Sequence, residues 1–376
     1  MLFMNSPMAP ASWCAVMLLA IATAASADGI DGITTTLSGY GTVGGSFTSD
    51  SNYAYRHDPS EYMGASNDLD IGLESRLGVQ AVFDFGAKFS VTVQEVVRER
   101  GDKTFDPGTE WFYAQYTPSS DWTLRLGRVA LGTFLLSDSR LVGYADPWFH
   151  APNEVYGSEP FQYVDGGQVL WHERLGEFGV TLQSSYGTTT ADVAALGTTL
   201  ETTAHNVFNA SAAFEFGNFL LRVAQTELVY PVVQPITPNF VLNFNEHDKY
   251  LSLGFQYDDG SALVLSEWSK RDESYLPIVH LPIFMGQAWY VAGGWRFGKF
   301  TPLLMVANSK PDLSLALPAG SYTSESITLR YEVARNVALK AQVTRAAEGS
   351  FWYWKSSDPS ARGYVDVVAL GADFVF

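Results

Sequence analysis

From about residue 30 the chain repeats one pattern. Short runs alternate apolar and polar residues, and turn residues separate the runs. The period-two runs are Leu37–Phe47, Leu69–Phe83, Lys88–Arg100, Glu110–Thr117, Trp122–Arg128, Val164–Glu173, Phe178–Tyr186 and Asn206–Phe216. They continue through Phe219–Val229, Asp248–Tyr257, Ala262–Lys270, Gln287–Phe297, Phe300–Asn308, Thr323–Glu332, Asn336–Arg345 and Gly363–Phe376, sixteen in all. Tight connections rich in Gly, Asn and Asp, such as Asp258-Asp259-Gly260 and Gly217-Asn218, supply the positive φ that hairpins need. They alternate with longer polar connections at 48–68, 101–109, 129–163, 187–205, 230–247, 271–286, 309–322 and 346–362. All long connections therefore fall at one end of the sheet. A transmembrane β-barrel shows that asymmetry, and a soluble sandwich has no use for it.

The faces within strands agree. In the second run Leu69, Ile71, Leu73, Leu77, Val79, Ala81 and Phe83 oppose Asp70, Gly72, Glu74, Arg76, Gly78 and Gln80. In the fifteenth, Val337, Leu339, Ala341 and Val343 oppose Lys340, Gln342 and Thr344. Lipid accepts only the first kind of face, and a wet bore tolerates the second. Phe83, Phe85, Tyr116, Trp122, Phe214, Phe216, Trp295 and Phe297 gather near strand ends, where an interface girdle belongs. A water-soluble barrel would need apolar residues inside, and side chains cannot fill a bore of sixteen strands. The pattern predicts an all-β fold, a sixteen-stranded antiparallel transmembrane β-barrel.

One stretch breaks the pattern. Val129–Pro160 carries Pro147, Pro152 and Pro160, which cannot all lie within one ladder. Its charges are Asp138, Arg140, Asp146, Glu154 and Glu159, a formal net of −3, beside Tyr144, Trp148, Phe149 and Tyr156. The aromatics argue against disorder, and so long a loop argues for function. In a barrel of this size it is expected to fold into the bore, against the plainer alternative of a long surface loop.

The first 27 residues read as a cleaved signal peptide. Ala15–Ala24 is an apolar h-region, although no Lys or Arg precedes it, and Ala25-Ser26-Ala27 is a cleavage site. Residues 28–376 would form the barrel. The only cysteine, Cys14, lies in the leader, so the mature chain carries no thiol for disulfides or metals. A formal net charge of −17 argues against nucleic acid as a partner.

Candidate chemistry is sparse. Gly39-Tyr-Gly-Thr-Val-Gly44 spells a dinucleotide fingerprint, but it opens no helix and sits in no βαβ unit. Its outward glycines, Gly39, Gly41 and Gly45, suit either close contact with a second subunit or simple strand bending. The six histidines show no metal-ligand spacing, and His150 is expected to be solvated in its loop. No catalytic group, cofactor or metal is expected, although a barrel-wall Ser/His pair would be invisible in sequence. The bore-facing bases are the functional candidates: Arg76, Arg98, Arg100 and Arg125, with Arg330 and Lys340 further round. Facing Asp138, Arg140, Asp146 and Glu154 of the loop, they would set a transverse field across a constriction.

Four features resemble the Gram-negative general porins, trimeric sixteen-stranded outer-membrane barrels. They are the opening strand Leu37-Ser-Gly-Tyr-Gly-Thr-Val-Gly44, the run Leu124-Arg-Leu-Gly-Arg128 directly before the long loop, the hairpin around Arg296-Phe-Gly-Lys-Phe-Thr-Pro302, and the ending Gly371-Ala-Asp-Phe-Val-Phe376. The loop lacks the Pro-Glu-Phe-Gly-Gly run of enterobacterial members. The resemblance implies an inward-folded third loop, an outer-membrane homotrimer reached through the periplasm, and contact with lipid. It also implies recognition of Phe374 and Phe376 by the barrel-assembly machinery. The implied function is passive diffusion of small hydrophilic solutes and ions. The alternative is a substrate-specific channel for a sugar or organic acid, with Tyr144, Trp148 and Phe149 as a stacking surface.

Overall fold

The computed structural model describes residues 25–29, 32–57, 61, 64–100, 103–195, 198–237, 240–274, 286–310, 321–347 and 363–376. Most of the expected leader, and the expected long loops around 275–285, 311–320 and 348–362, lie outside the described residues.

A short strand, β1 (Ala25–Gly29), precedes sixteen long ones. These are β2 (Ile33–Thr48), β3 (Arg76–Asp84), β4 (Phe89–Glu99), β5 (Phe105–Tyr116), β6 (Trp122–Ala130), β7 (Tyr163–Leu175), β8 (Phe178–Ala195) and β9 (Thr198–Phe216). The second half comprises β10 (Phe219–Thr237), β11 (Phe240–Asp258), β12 (Ala262–Ser274), β13 (Gln287–Trp295), β14 (Phe300–Lys310), β15 (Tyr322–Ala334), β16 (Val337–Ala347) and β17 (Tyr364–Val375). Each pairs antiparallel with the next, and β17 pairs back onto β2, so the sheet closes. β1 adds to the edge of β2 beyond the end of β17, in the register Ala25↔Leu37. No described helix is long and apolar enough to cross a membrane.

The alternation holds around most of the wall. Leu126, Ile327, Leu329, Leu339 and Val343 are exposed, while Gln94, Gln168, Thr328, Lys340, Gln342 and Thr344 on the opposite phase are buried. At the tight-turn end Phe85, Tyr116, Trp122, Phe216, Trp295 and Phe297 all stand exposed, as a lipid-interface belt requires. The turns themselves use Gly86, Gly176, Gly217, Gly260 and Gly298 at positive φ.

Four expectations are corrected. Leu69–Ser75 is not strand but belongs to the β2–β3 connection, since β3 begins only at Arg76. The expected loops 101–109, 187–205 and 230–247 are largely strand, because β5 and β8–β11 run on past the apolar–polar pattern. Thr190 pairs with Thr203 across β8 and β9, with their hydroxyls 3.2 Å apart. Threonines suit strand geometry yet carry no hydrophobic period once both faces are wet.

The inner phase is not polar throughout. Leu263, Leu265, Tyr290, Leu303 and Met305 from β12–β14 form a core with Phe134, Trp148, Val155 and Tyr156 of the connection 131–162. Nor do the outward glycines offer a bare subunit face. Phe376 and Phe374 lie over Gly39 and Gly41, and Leu69 and Ile71 lie over Gly45. Across the seam, Phe149 presses on Gly44 and Gly371, which are partners in the β17–β2 ladder. A Cβ on Gly44 would come within 2.6 Å of Phe149. Ring-on-glycine contacts on both phases thus finish the closure of the barrel.

Candidate functional site: the loop 131–162 and the facing wall

The connection between β6 and β7 carries a single 3₁₀ turn (Gly143–Ala145) and one turn of helix (Asn153–Tyr156). Its prolines deny it a ladder, so its backbone groups need other partners. Inner-phase side chains of β9–β16 supply them. Asn209 and Arg222 donate to the Gly132 carbonyl, at 3.1 and 2.6 Å, and Arg222 also reaches the Phe134 carbonyl. Ser252 Oγ donates to the Thr133 carbonyl at 2.7 Å. Glu267 accepts from the Leu135 amide at 2.8 Å and from the Tyr156 hydroxyl at 2.9 Å. Tyr250 and Arg271 both donate to the Ser158 carbonyl, at 3.2 Å each.

Further round, Arg330 Nη1 donates to the carbonyls of Tyr144 and Asp146. Lys340 Nζ donates to those of Gly143 and Trp148, at 2.5 and 2.8 Å, and pairs with Asp373 at 2.9 Å. Gln342 accepts from the amides of Phe149 and His150 and donates to the His150 carbonyl. The loop is therefore fixed on the β9–β17 half of the wall by charged and amide side chains, over the apolar patch of β12–β14.

Arg76, Arg98, Arg100 and Arg125 stand on β3, β4 and β6 or just past β4, on the other half. Arg76 and Arg98 are direct cross-strand partners. Arg125 bridges Gln115 and Gln168, at 2.9 and 3.1 Å, and lies over the Tyr113 ring. Between this half and the loop is a gap of about 30 Å³, lined by Tyr40, Gln94, Glu110, Asp138, Arg140 and Glu159 among others. That is room for about two waters. A cavity of about 230 Å³ lies on the long-connection side, with Arg98, Arg100, Arg128, Glu110, Asp192 and Glu201 in its lining. A third, of about 300 Å³, is lined by Tyr144, Asp146, Asp258, Arg296, Arg330 and Glu332, together with Leu263 and Leu265.

The loop acids differ from their formal charges. Asp138 is exposed, whereas Asp146, Glu154 and Glu159 are buried. Burial pushes the Asp146 carboxyl up to about 7, against the pull of Lys340 and Arg76. Burial likewise pushes Glu159 up to about 8, against Arg271, and raises Glu154. The formal net of −3 overstates the field, because three of the four acids are held toward the neutral form.

These carboxyls bind protons more tightly in the folded loop than in an unfolded chain. Their contribution is complete below the unfolded values near pH 4 and is lost as pH rises through about 7–8. Loop packing should therefore loosen progressively as pH rises from about 4 to about 8, seen as rising current noise in single channels. The double change Asp146→Asn, Glu159→Gln should flatten that dependence.

Of the expected stacking rings, only Tyr144 borders open space. It lies beneath the Arg330 guanidinium, and its hydroxyl donates to Glu332 and to the Arg335 carbonyl. Trp148 is 1 % exposed and meets Tyr290 edge-on, and Phe149 is buried on the seam glycines. Both rings anchor the loop and offer no face to a solute. His150 is not solvated either, since it is buried against Glu74 at 2.7 Å. The sequence alone does not mark out Glu110, Arg222, Glu267, Arg271 or Gln342. Their signal was a polar residue in the inner phase of a strand, shared with many neighbours that anchor nothing.

This architecture is a closed antiparallel β-barrel of sixteen long strands, a fold shared with solved outer-membrane barrels. The chain is similar in structure to the outer membrane channel DcaP of Acinetobacter baumannii, with a TM-score of 0.59 at 14 % identity, covering 94 % of this chain and 100 % of that one. It is similar to the outer-membrane expressed OmpT of Vibrio cholerae, with a TM-score of 0.58 at 14 % identity over 93 % and 99 % of the two chains. For an anion-selective porin from Comamonas acidovorans the values are 0.55, 12 %, 92 % and 100 %. No known protein family and no curated protein matches the sequence.

Proposed function

We propose that the chain is an outer-membrane channel for passive diffusion of small hydrophilic solutes and ions. In this reading the connection 131–162 lies in the bore and leaves a constriction against the wall of Arg76, Arg98, Arg100 and Arg125. The observation that carries it is the set of inner-phase anchors from β9 to β16, which hold the loop against one half of a closed wall. Residues 1–27 would be removed on export, and Phe374 and Phe376 would present the assembly signal. One solved form of Vibrio cholerae OmpT is described as a trimer. A trimer is proposed here as well, tested by migration of unheated protein above the monomer mass on a denaturing gel.

Ion preference should be weak. Charges about 4 Å apart interact by about 4 kcal/mol at a surface-like dielectric, but those beyond about 8 Å are screened at physiological salt. An ion in the gap feels Asp138 and Glu110 together with Arg76 and Arg140, which partly cancel. The acidic excess of the chain then gives a slight cation preference that fades as salt rises. In planar bilayers under a salt gradient, Asp138→Asn should move the reversal potential toward anions and Arg76→Ser toward cations. Asp146→Asn, already near neutral, should move it least. Unchanged potentials in both of the first two variants would remove these residues from the path.

A second reading, a channel specific for a small organic acid, is favoured by the third cavity. Tyr144, Leu263 and Leu265 there line one space with Arg296 and Arg330, which are paired with Asp258 and Glu332. Saturable block by a carboxylate solute supports this reading, and a linear current with no block supports passive diffusion.

A further inference from the structure

Two histidines and a glutamate that lie far apart in the chain meet where the β2–β3 connection touches the loop. His150 Nε2 is 2.7 Å from Glu74 Oε1, and His57 Nε2 is 3.2 Å from Glu74 Oε2 in a geometry that makes no hydrogen bond. The three ligand atoms lie within 4.8 Å of one another, and this is the one such group among the described residues. Glu74 and His150 are buried, and His57 is half-buried at the rim. We propose that His57, Glu74 and His150 form a binding site for a borderline divalent transition ion such as Zn²⁺.

The donor set is the argument. Two neutral imidazole nitrogens and one carboxylate, with a fourth position open to water, are ligands that zinc takes in tetrahedral sites. Hard cations such as Ca²⁺ and Mg²⁺ prefer sites built wholly from oxygen. Bonds of about 2.0–2.1 Å set tetrahedral ligand atoms about 3.3 Å apart. The two His–Glu separations, 2.7 and 3.2 Å, run to different Glu74 oxygens and fall at or below that spacing, and all three ligand atoms lie within 4.8 Å, so side-chain shifts at the half-buried His57 would bring them to it.

The surroundings hold the rings in place. Tyr55 stacks on His150 at 4.5 Å between centroids and meets His57 edge-on at 5.2 Å. Glu61 accepts the His57 amide at 2.7 Å, and its other oxygen is 4.0 Å from His57 Nδ1. A carboxylate beside the distal nitrogen orients a ligating imidazole and raises its basicity. Arg76 adds an opposing positive charge nearby, set against the two carboxylates.

Bound there, the ion would pin the β2–β3 connection to loop 131–162 across the seam. Asn153 Nδ2 already donates to the Arg56 carbonyl at 2.6 Å beside the site.

The test is equilibrium dialysis of metal-stripped, folded protein against Zn²⁺ at neutral pH. Absorption of Co²⁺ in the visible serves as a coordination probe. One Zn²⁺ per chain, with micromolar or tighter affinity, is expected, as are Co²⁺ bands of four-coordinate strength. His57→Gln and Glu74→Gln should each weaken binding at least about tenfold. His172→Gln, on an exposed strand end, should change nothing. His57 is half-buried, so its variant should fold, and unheated gel mobility checks that. Absence of stoichiometric Zn²⁺ in the wild type, or wild-type affinity in folded His57→Gln, would overturn the proposal.

Discussion

Replacing Lys340 with methionine is expected to free the loop and to weaken the barrel together. The Lys340 ammonium is buried, donates to two loop carbonyls and faces Asp373. Methionine keeps most of the volume and removes the charge. Asp373 then keeps only the Thr42 hydroxyl, at 2.6 Å, and the carbonyls of Gly143 and Trp148 lose a donor. Breaking a buried pair from one side costs about 3–5 kcal/mol. The heat-modifiable band should convert to the unfolded form at a clearly lower temperature, and single channels should fluctuate between conductance levels. Adding Asp373→Asn to Lys340→Met should recover most of the thermal loss, because no charge is left alone, but should not quiet the channel. A single variant as stable and quiet as the wild type would show that Lys340 does not anchor the loop.

Shortening the loop should have the larger effect on current. Replacing residues 133–159 with a short Gly/Ser linker removes the Asp138 and Arg140 side of the gap and the chain packed over β12–β14. The opening is then set by the wall, so conductance should rise several-fold and the weak ion preference should follow the wall bases toward anions. The variant also uncovers Leu263, Leu265, Leu303 and Met305, about 25 cal/mol for each Å² exposed, so folded yield should fall.

The barrel was legible in the sequence because one face of each run is apolar at every second position and tight turns separate the runs. Apolar residues every second position and turns at strict intervals are what a membrane wall demands, and each of the sixteen runs falls wholly or in part on a strand. The errors fall where that demand lapses. β8–β11 run beyond the apolar band as threonine-rich strand, and Leu69–Ser75 keeps the alternation without the ladder. The loop was legible as an exception through its prolines, and Arg330 and Lys340 as bore-facing bases, but that these and their neighbours hold the loop was not. Lys340 and Gln342 on β16, Glu267 on β12 and Arg222 on β10 are spread over three strands, and only closure of the sheet sets them around one segment. The sequence shows the acids only at their formal charge, because burial is not written locally. His150 gave no sign of Glu74, and still less of His57, since the three meet through two connections that share no pattern.

The central claim is that loop 131–162 borders the ion path, and one measurement reaches it directly. The only cysteine, Cys14, lies in residues 1–27, which are proposed to be removed on export, so Asp138→Cys in the chain from residue 28 puts a single thiol at the exposed acid of the gap. A bulky charged reagent that forms a mixed disulfide, added to an open Asp138→Cys channel in a planar bilayer, should lower the current in discrete steps that persist on washout and that reductant reverses. The same reagent on Asp121→Cys, at a tight turn, should leave the current unchanged. If mass spectrometry shows Asp138→Cys fully labelled and the current does not move, the loop is not in the path and the account fails.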